Sequence, residues 1–131
     1  MGMTGVFRRI DGSQADEIKA GARPVSDLMF EESDRGLDVD KAWHGLNWLL
    51  CGDVWGTGGT VIGQAIMGGT EVGEELGYGK ARLLDPAQVR ACAAALAEVS
   101  VATLESRFDP QAMAADEVYP DVWHEGPGAL E

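Results

Sequence analysis

Basic residues are scarce in this chain. It has 10 Lys and Arg against 22 Asp and Glu, which gives a net charge of −12 and an isoelectric point near 4.4. Proteins that bind nucleic acid use Lys and Arg to displace counterions from phosphates. The composition therefore predicts no nucleic-acid partner. An acidic surface can attract a basic protein partner, or it can serve only to keep the protein in solution.

Cysteine is also scarce. The two cysteines, Cys51 and Cys92, each lie in an apolar helical setting without a second Cys or a His at the spacing of metal ligands. This pattern is typical of reduced, buried thiols in a cytoplasmic protein, and a disulfide between the two is the alternative. The sequence predicts no metal site and no cofactor.

Long apolar runs are absent. Residues 1–9 have neither the apolar core nor the small-residue cleavage site of a signal peptide, and no stretch approaches the roughly 20 apolar residues of a membrane span. We therefore predict a cytoplasmic protein without a membrane partner.

The remaining composition is that of a globular protein. The chain has 131 residues, of which 45% are apolar and 24% charged, so one domain with one hydrophobic core is expected. We assign this single domain to residues 1–125. Residues 126–131 are predicted to be a frayed tail or a vector-derived remnant.

The most apolar helical run extends over about residues 39–51, and we predict that it forms a central helix. Asp38 or Asp40 is suited to cap its start, and Gly52 stands where a left-handed residue ends a helix. The run is apolar on more than half of its circumference, which indicates burial on several sides. Gly45 within it predicts close approach of another backbone.

Turn and capping residues predict the other elements. Asp85-Pro86-Ala87-Gln88 is the strongest local signal, because Asp caps, Pro suits the first helical position and Gln closes a capping box. The apolar face of the helix that follows is predicted to contain Val89, Cys92, Ala93, Leu96 and Val99. The predicted strands are 4–10, a strand within 61–67 that is centred on 64–67, and 80–84. The predicted helices besides the central one are a short helix after the Ser13 cap that ends near residue 22, a turn after Pro24, 86–99, 101–107, and a helix that starts at Asp109-Pro110 and ends near residue 115. This order predicts an α+β fold with a small mixed or antiparallel sheet packed against several helices.

Several segments together carry a family resemblance. They are residues 1–3 with 7–10, residues 37–46, residues 68–73 with 76–79, residues 107–110 and residues 119–123. In this order they resemble the YfbM-like family of bacterial domains of unknown function. The resemblance implies a small α+β fold in a cytoplasmic bacterial protein, and it implies no reaction, cofactor or catalytic residue.

One group of polar residues near the central helix could form a site. It consists of His44, Asp53, Glu71, Glu74, Tyr78 and Arg82. A histidine with carboxylates can act as a general base with its orienting group, or as part of a metal site. The alternative is a core histidine that is hydrogen-bonded to one carboxylate or carbonyl.

Trp55 lies in a glycine-rich loop and is predicted to be exposed, where it could touch a ligand or partner. Three hypotheses about function remain. The first is a small acidic interaction module without catalytic activity, with a protein partner that is basic. The second is a small enzyme or ligand-binding domain with a cleft around His44. The third is a structural subunit that oligomerises through the Trp123 end; the sequence leaves the oligomeric state open.

Overall fold

A computed structural model of the protein describes residues 2–30, 34–120 and 122–123. Helices and strands both occur in these ranges, and the α+β prediction is confirmed. The strands are β1 (Gly5–Arg8), β2 (Gly36–Asp40), β3 (Thr70–Glu75) and β4 (Lys80–Leu83). The helices are α1 (Gly12–Lys19), α2 (Val25–Met29), α3 (Trp43–Cys51), α4 (Gln64–Met67), α5 (Pro86–Ala97), α6 (Val101–Arg107) and α7 (Pro110–Ala115). The predicted tail at 126–131 lies outside the described residues.

The strands in the described ranges form two separate antiparallel pairs, β1 with β2 and β3 with β4. The first pair corrects the predicted start of the central helix, because residues 39–40 belong to β2 and α3 begins only at Trp43. Asp38 does not cap that helix. Its carboxylate instead accepts the backbone N–H of Asp40 at 2.7 Å, in a local turn typical of aspartate.

The predicted strand at 64–67 is wrong, because these residues form the short helix α4. Helical hydrogen bonds begin just before it, from the N–H of Gln64 to the carbonyl of Val61 and from that of Ala65 to Ile62. Its β-branched and apolar residues favour burial as much as extension, and α3 and α5 both pack against the segment. Tertiary contact has therefore overridden a short local preference.

Local capping explains why the later helices begin where the sequence predicts. Asp85 and Gln88 form a reciprocal capping box at the start of α5, and Ser100 and Asp109 cap α6 and α7. The predicted apolar face of α5 is wrong in most positions. Of its five residues only Cys92 is buried, and Val89 is 50% exposed.

Two hydrophobic clusters form the core. The first contains Ile18, Val25 and Leu28, and Val72 and Ala81 of the β3–β4 pair pack on it. The second contains Met113, Val118 and Trp123, with Trp48 and Phe108 around them. Through Trp48, α3 takes part in the second cluster.

The Trp123 side chain packs against α3. A Cβ atom built on Gly45 would lie 2.3 Å from Cη2 of the Trp123 indole. A close approach at Gly45 was predicted and is found, but the approaching group is an aromatic side chain and not a backbone. The Trp123 side chain is only 6% exposed in the described structure.

Candidate functional site

One line of side chains on α3 holds the loop that follows the helix. His44, Asn47 and Cys51 are three or four positions apart, so they share one face. The Nδ2 group of Asn47 donates to the carbonyls of Asp53 at 3.1 Å and Gly56 at 3.0 Å. Nε2 of His44 lies 2.6 Å from the carbonyl oxygen of Val54. These bonds fix the loop backbone on both sides of Trp55.

His44 is fully buried, and both of its ring nitrogens have partners. The backbone N–H of Tyr119 donates to Nδ1 at 2.8 Å, so Nδ1 carries no proton and Nε2 donates to Val54. Burial lowers the pKa of His44 below its ordinary value of 6.5, and the hydrogen bond to Val54 acts in the opposite direction. His44 is therefore a neutral core histidine bonded to a carbonyl, which was the alternative to a general base.

Four aromatic rings gather where α3, this loop and the last turn meet, and we call Trp43, His44, Trp55 and Tyr119 the aromatic cluster. The Trp55 ring lies 4.3 Å from the His44 ring and 6.0 Å from the Trp43 ring, measured between centroids. Trp43 in turn lies 6.4 Å from Tyr119. Trp55 is 60% exposed, which confirms its predicted exposure.

The cluster also holds the start of the chain. The backbone N–H of Met3 donates to the hydroxyl of Tyr119 at 3.0 Å, and the indole N–H of Trp43 donates to the Met3 carbonyl at 3.0 Å. Segments that are more than 100 positions apart in sequence thus meet at this point.

The four indole N–H groups differ in whether they have a hydrogen-bond acceptor. Those of Trp43, Trp48 and Trp123 donate to Met3, Asp116 and Val118. Within the described part of the chain, the indole N–H of Trp55 has no acceptor. Trp55 therefore presents both an open ring face and a free hydrogen-bond donor at the surface.

The glycine-rich loop binds a carboxylate of its own. Oδ2 of Asp53 accepts the backbone N–H of Gly58 at 3.2 Å, and this carboxylate lies directly against Gly56. Backbone amides in such loops are the groups that would hold a phosphate. The amides of Gly58 and Gly59 are already bonded to Asp53 and Thr57, so these two groups are not available to a phosphate.

The other candidate residues lie on the β3–β4 pair and have structural partners. Glu71 and Arg82 face each other across the pair, 3.7 Å apart. The carboxylate of Glu74 accepts the N–H groups of Val25 at 3.2 Å and Ser26 at 2.9 Å, and so caps α2. Tyr78 lies in the connecting turn and is 69% exposed.

The seven candidate residues therefore fall into two groups. His44, Asp53 and Trp55 belong to α3 and its loop, whereas Glu71, Glu74, Tyr78 and Arg82 belong to the β3–β4 pair. Over residues 2–30, 34–120 and 122–123, no hydrogen bond, ion pair or ring contact joins the two groups. The structure does not bring them together as one constellation.

Asn47 is the residue that sequence reasoning missed. It is fully buried, it holds the loop at two points, and its Oδ1 atom has no hydrogen-bond partner among the described residues. A signal was present, because an amide in the middle of an apolar helix is costly to bury unless it bonds to backbone.

Three further features bear on ligands. In the described ranges, no group of three or more His, Cys, Asp or Glu residues is placed to hold a metal ion. Cys51 and Cys92 are both free thiols. A surface cavity of about 360 Å³ is lined in part by Ala114, Glu117, Val118 and Tyr119, next to the aromatic cluster.

No single helix in the described part of the chain has the length and apolar character needed to cross a membrane, and only the bent pair α5 and α6, with an 80° break, meets those criteria together.

The comparison with protein families gives one match. The model of a family described as a domain of unknown function (DUF1877) matches residues 1–131. No curated protein and no solved structure matches the chain. The resemblance to a domain of unknown function is thus confirmed, whereas the YfbM-like name and the bacterial origin stay predictions.

Proposed function

The chain belongs to the DUF1877 family, whose description assigns no activity, and we propose that it is a non-catalytic interaction module that binds a basic protein partner. The observation that carries the proposal is the net charge of −12 on a surface whose acidic residues are mostly exposed. A charge of this size attracts a partner of opposite sign over several ångströms and raises the rate of association.

Hydrogen bonds between the candidate catalytic side chains and the backbone support the proposal. A general base needs a lone pair within reach of a substrate proton, and both nitrogens of His44 are bonded to backbone in a fully buried position. Asp53 and Glu74 use their carboxylates to hold backbone N–H groups. The alternative, a small enzyme or ligand-binding domain with a cleft around His44, gains no support from these contacts.

Other carboxylates are free to meet a partner. Asp40, Glu98, Glu105 and Glu117 are exposed, and their side chains make no hydrogen bond or ion pair with the described residues. Neutralising them should leave the fold intact, because surface charges without partners contribute little to stability. The proposal includes the cytoplasmic location that the sequence predicts.

The test begins with the capture of binding proteins from a cytoplasmic extract of the cells that make this protein naturally. The complex is then reconstituted from the purified protein and its purified partner. We expect a partner of high isoelectric point whose affinity falls at least tenfold between about 50 and 200 mM salt. The variant Asp40→Asn, Glu98→Gln, Glu105→Gln, Glu117→Gln should bind more weakly. Its matched control, with Glu98→Asp, Glu105→Asp and Glu117→Asp, keeps the charge and should bind normally.

Two results would contradict the proposal. One is a reconstituted partner that is acidic or whose affinity does not depend on salt. The other is equal affinity of the neutralised variant and its charge-preserving control.

A further inference from the structure

We propose that Trp55 is the contact residue of this surface, and that its exposed indole takes an arginine or lysine side chain of the partner. This inference rests on the proposed function, because it names the group through which a basic partner is recognised. It adds a specific residue and a specific ligand chemistry to an otherwise general attraction between charges.

The first support is that Trp55 is exposed and yet held in place. The loop carbonyls on either side of it, those of Val54 and Gly56, are bonded to buried side chains of α3. One side of its ring packs on His44 at 4.3 Å. An aromatic residue fixed in this way loses little conformational entropy when it binds, which is the property of residues that dominate interfaces.

The second support is the chemistry that Trp55 offers. The face of an indole attracts cations, and tryptophan is the best of the aromatic residues for this interaction. The indole N–H of Trp55 is the one among the four that lacks an acceptor within residues 2–30, 34–120 and 122–123. It can donate to a carbonyl of the partner beside the bound cation.

The third support is the local charge. The Asp53 carboxylate accepts the N–H of Gly58 and lies against Gly56, so the loop that carries Trp55 also carries a negative group. The ring beneath Trp55 belongs to His44, whose Nδ1 accepts an N–H and so bears no proton. The His44 ring therefore carries no positive charge that would repel a cation bound on Trp55.

Other exposed apolar residues do not combine these features. Phe30, Leu37 and Val101 are exposed but lack an indole N–H and have no aromatic contact in the described structure. Tyr78 is exposed in the turn between β3 and β4, and it also makes no ring contact there. It therefore serves as a matched aromatic control.

The test uses the whole protein labelled with ¹⁵N and a defined probe, the peptide acetyl-(Gly-Arg)₄-amide. Each of the four tryptophans gives one indole resonance, so binding can be followed at each ring. We expect the Trp55 resonance to shift in a saturable way, and the other three to move less. A peptide with citrulline in place of arginine, which has a similar shape and no charge, should cause no shift.

Affinities from calorimetry complete the test. Trp55→Ala should weaken binding of the arginine peptide about fivefold or more, the range expected when a cation loses its aromatic partner. Tyr78→Ala should leave it unchanged. Trp55→Phe keeps a weaker ring face and should fall between the wild type and Trp55→Ala. Unchanged indole resonances of Trp48 and Trp123, whose rings do not contact Trp55, would show that each variant is folded.

The outcomes separate the two proposals. If the wild type binds the arginine peptide and Trp55→Ala binds it equally well, the inference is wrong and the basic-partner proposal stands. Equal binding of the citrulline peptide would also overturn it. If the wild type binds neither an arginine peptide nor its lysine counterpart, and captures no basic protein, both proposals fail.

Discussion

His44 acts as a structural connector, because it links two segments that are far apart in sequence through one neutral ring. Its two nitrogens need opposite roles, one accepting from Tyr119 and one donating to Val54. A proton on Nδ1 would face the Tyr119 N–H and would place a charge in a fully buried position, so protonation and folding oppose each other.

Stability should therefore depend on pH through this residue. Because the pKa of His44 is lower in the folded state, the unfolded chain binds the proton first as the pH falls. The free energy of unfolding should be at its full value above about pH 6.5 and should decrease below it, by about 1.4 kcal/mol for each unit by which the pKa is lowered.

Urea unfolding measured between pH 5 and 8 checks this prediction. His44→Gln should be less stable at every pH. Its free energy of unfolding should also no longer decrease just below pH 6.5, where that of the wild type does. His124→Gln is the control for the other histidine. The prediction is wrong if the wild-type stability does not change between pH 6.5 and the onset of carboxylate protonation.

The predictability of single residues depended on whether their partners are local. Gly52 was predicted as the left-handed end of the central helix, and it has φ of 75° with its N–H bonded to Trp48. That requirement follows from the helix alone. The role of Asn47 depends on a loop that folds back over the helix, and no spacing rule in the sequence indicates that return.

At the scale of elements, α2 has only five residues and is stabilised from outside its own segment. Pro24 is the N-cap residue of α2, and its side chain makes no capping hydrogen bond. The carboxylate of Glu74 in β3 caps the helix instead. The β3–β4 pair and α2 therefore depend on each other, in addition to their shared hydrophobic cluster.

Removal of this cap should destabilise the protein. Glu74→Ala should lower the free energy of unfolding by about 0.5 to 2 kcal/mol, the usual cost of losing a capping side chain. The matched control is Glu71→Ala, which removes an exposed ion pair with Arg82 and should cost less than about 1 kcal/mol. Equal losses in the two variants, measured by urea unfolding, would mean that Glu74 has no special role.

The contact between α3 and Trp123 gives a second prediction at this scale. Gly45→Ala improves helix propensity by about 1 kcal/mol, but it places a methyl group against a rigid buried ring. Crowding of this kind typically costs about 1 to 3 kcal/mol, and we expect a net loss of stability.

Gly12→Ala is the control, because a Cβ at this position in α1 meets nothing within 4 Å. It should be neutral or slightly stabilising. Thermal unfolding of both variants decides the matter, and a more stable Gly45→Ala protein would show that the Trp123 ring moves aside.

Element prediction succeeded where a capping residue and its helix are adjacent. The helices α5, α6 and α7 begin after Asp85, Ser100 and Asp109 as the sequence indicates, because these caps bond within three residues. It failed at 64–67 and at the start of α3. There, pairing of β2 with β1 and packing of α4 on its neighbours decide between helix and strand.

For the whole molecule, the excess of negative charge is a cost to folding as well as a means of attraction. Like charges are closer together in the folded chain than in the unfolded one, so their repulsion opposes compaction. Several carboxylates reduce this cost locally by accepting backbone N–H groups, among them those of Asp11, Asp53, Asp85 and Asp109.

Added salt should therefore stabilise the fold. Raising sodium chloride from about 20 to 200 mM shortens the screening length to below 10 Å and should raise the melting temperature by a few degrees. The same increase should weaken binding of a basic partner, so stability and affinity should change in opposite directions. A melting temperature that falls with salt would contradict this account.

The hydrogen bonds between Met3 and the aromatic cluster have a mechanical consequence. The hydrogen bond between Met3 and Tyr119 joins residues that are 116 positions apart, near the two ends of the described chain. A second hydrogen bond joins Met3 to Trp43, which is 40 positions away. We expect a tensile load applied through residues 2 and 123 to act first on the hydrogen bonds of Met3 and on the packing of Trp123 against α3. We therefore predict that the resistance of the domain to stretching depends on these contacts between its first and last described segments.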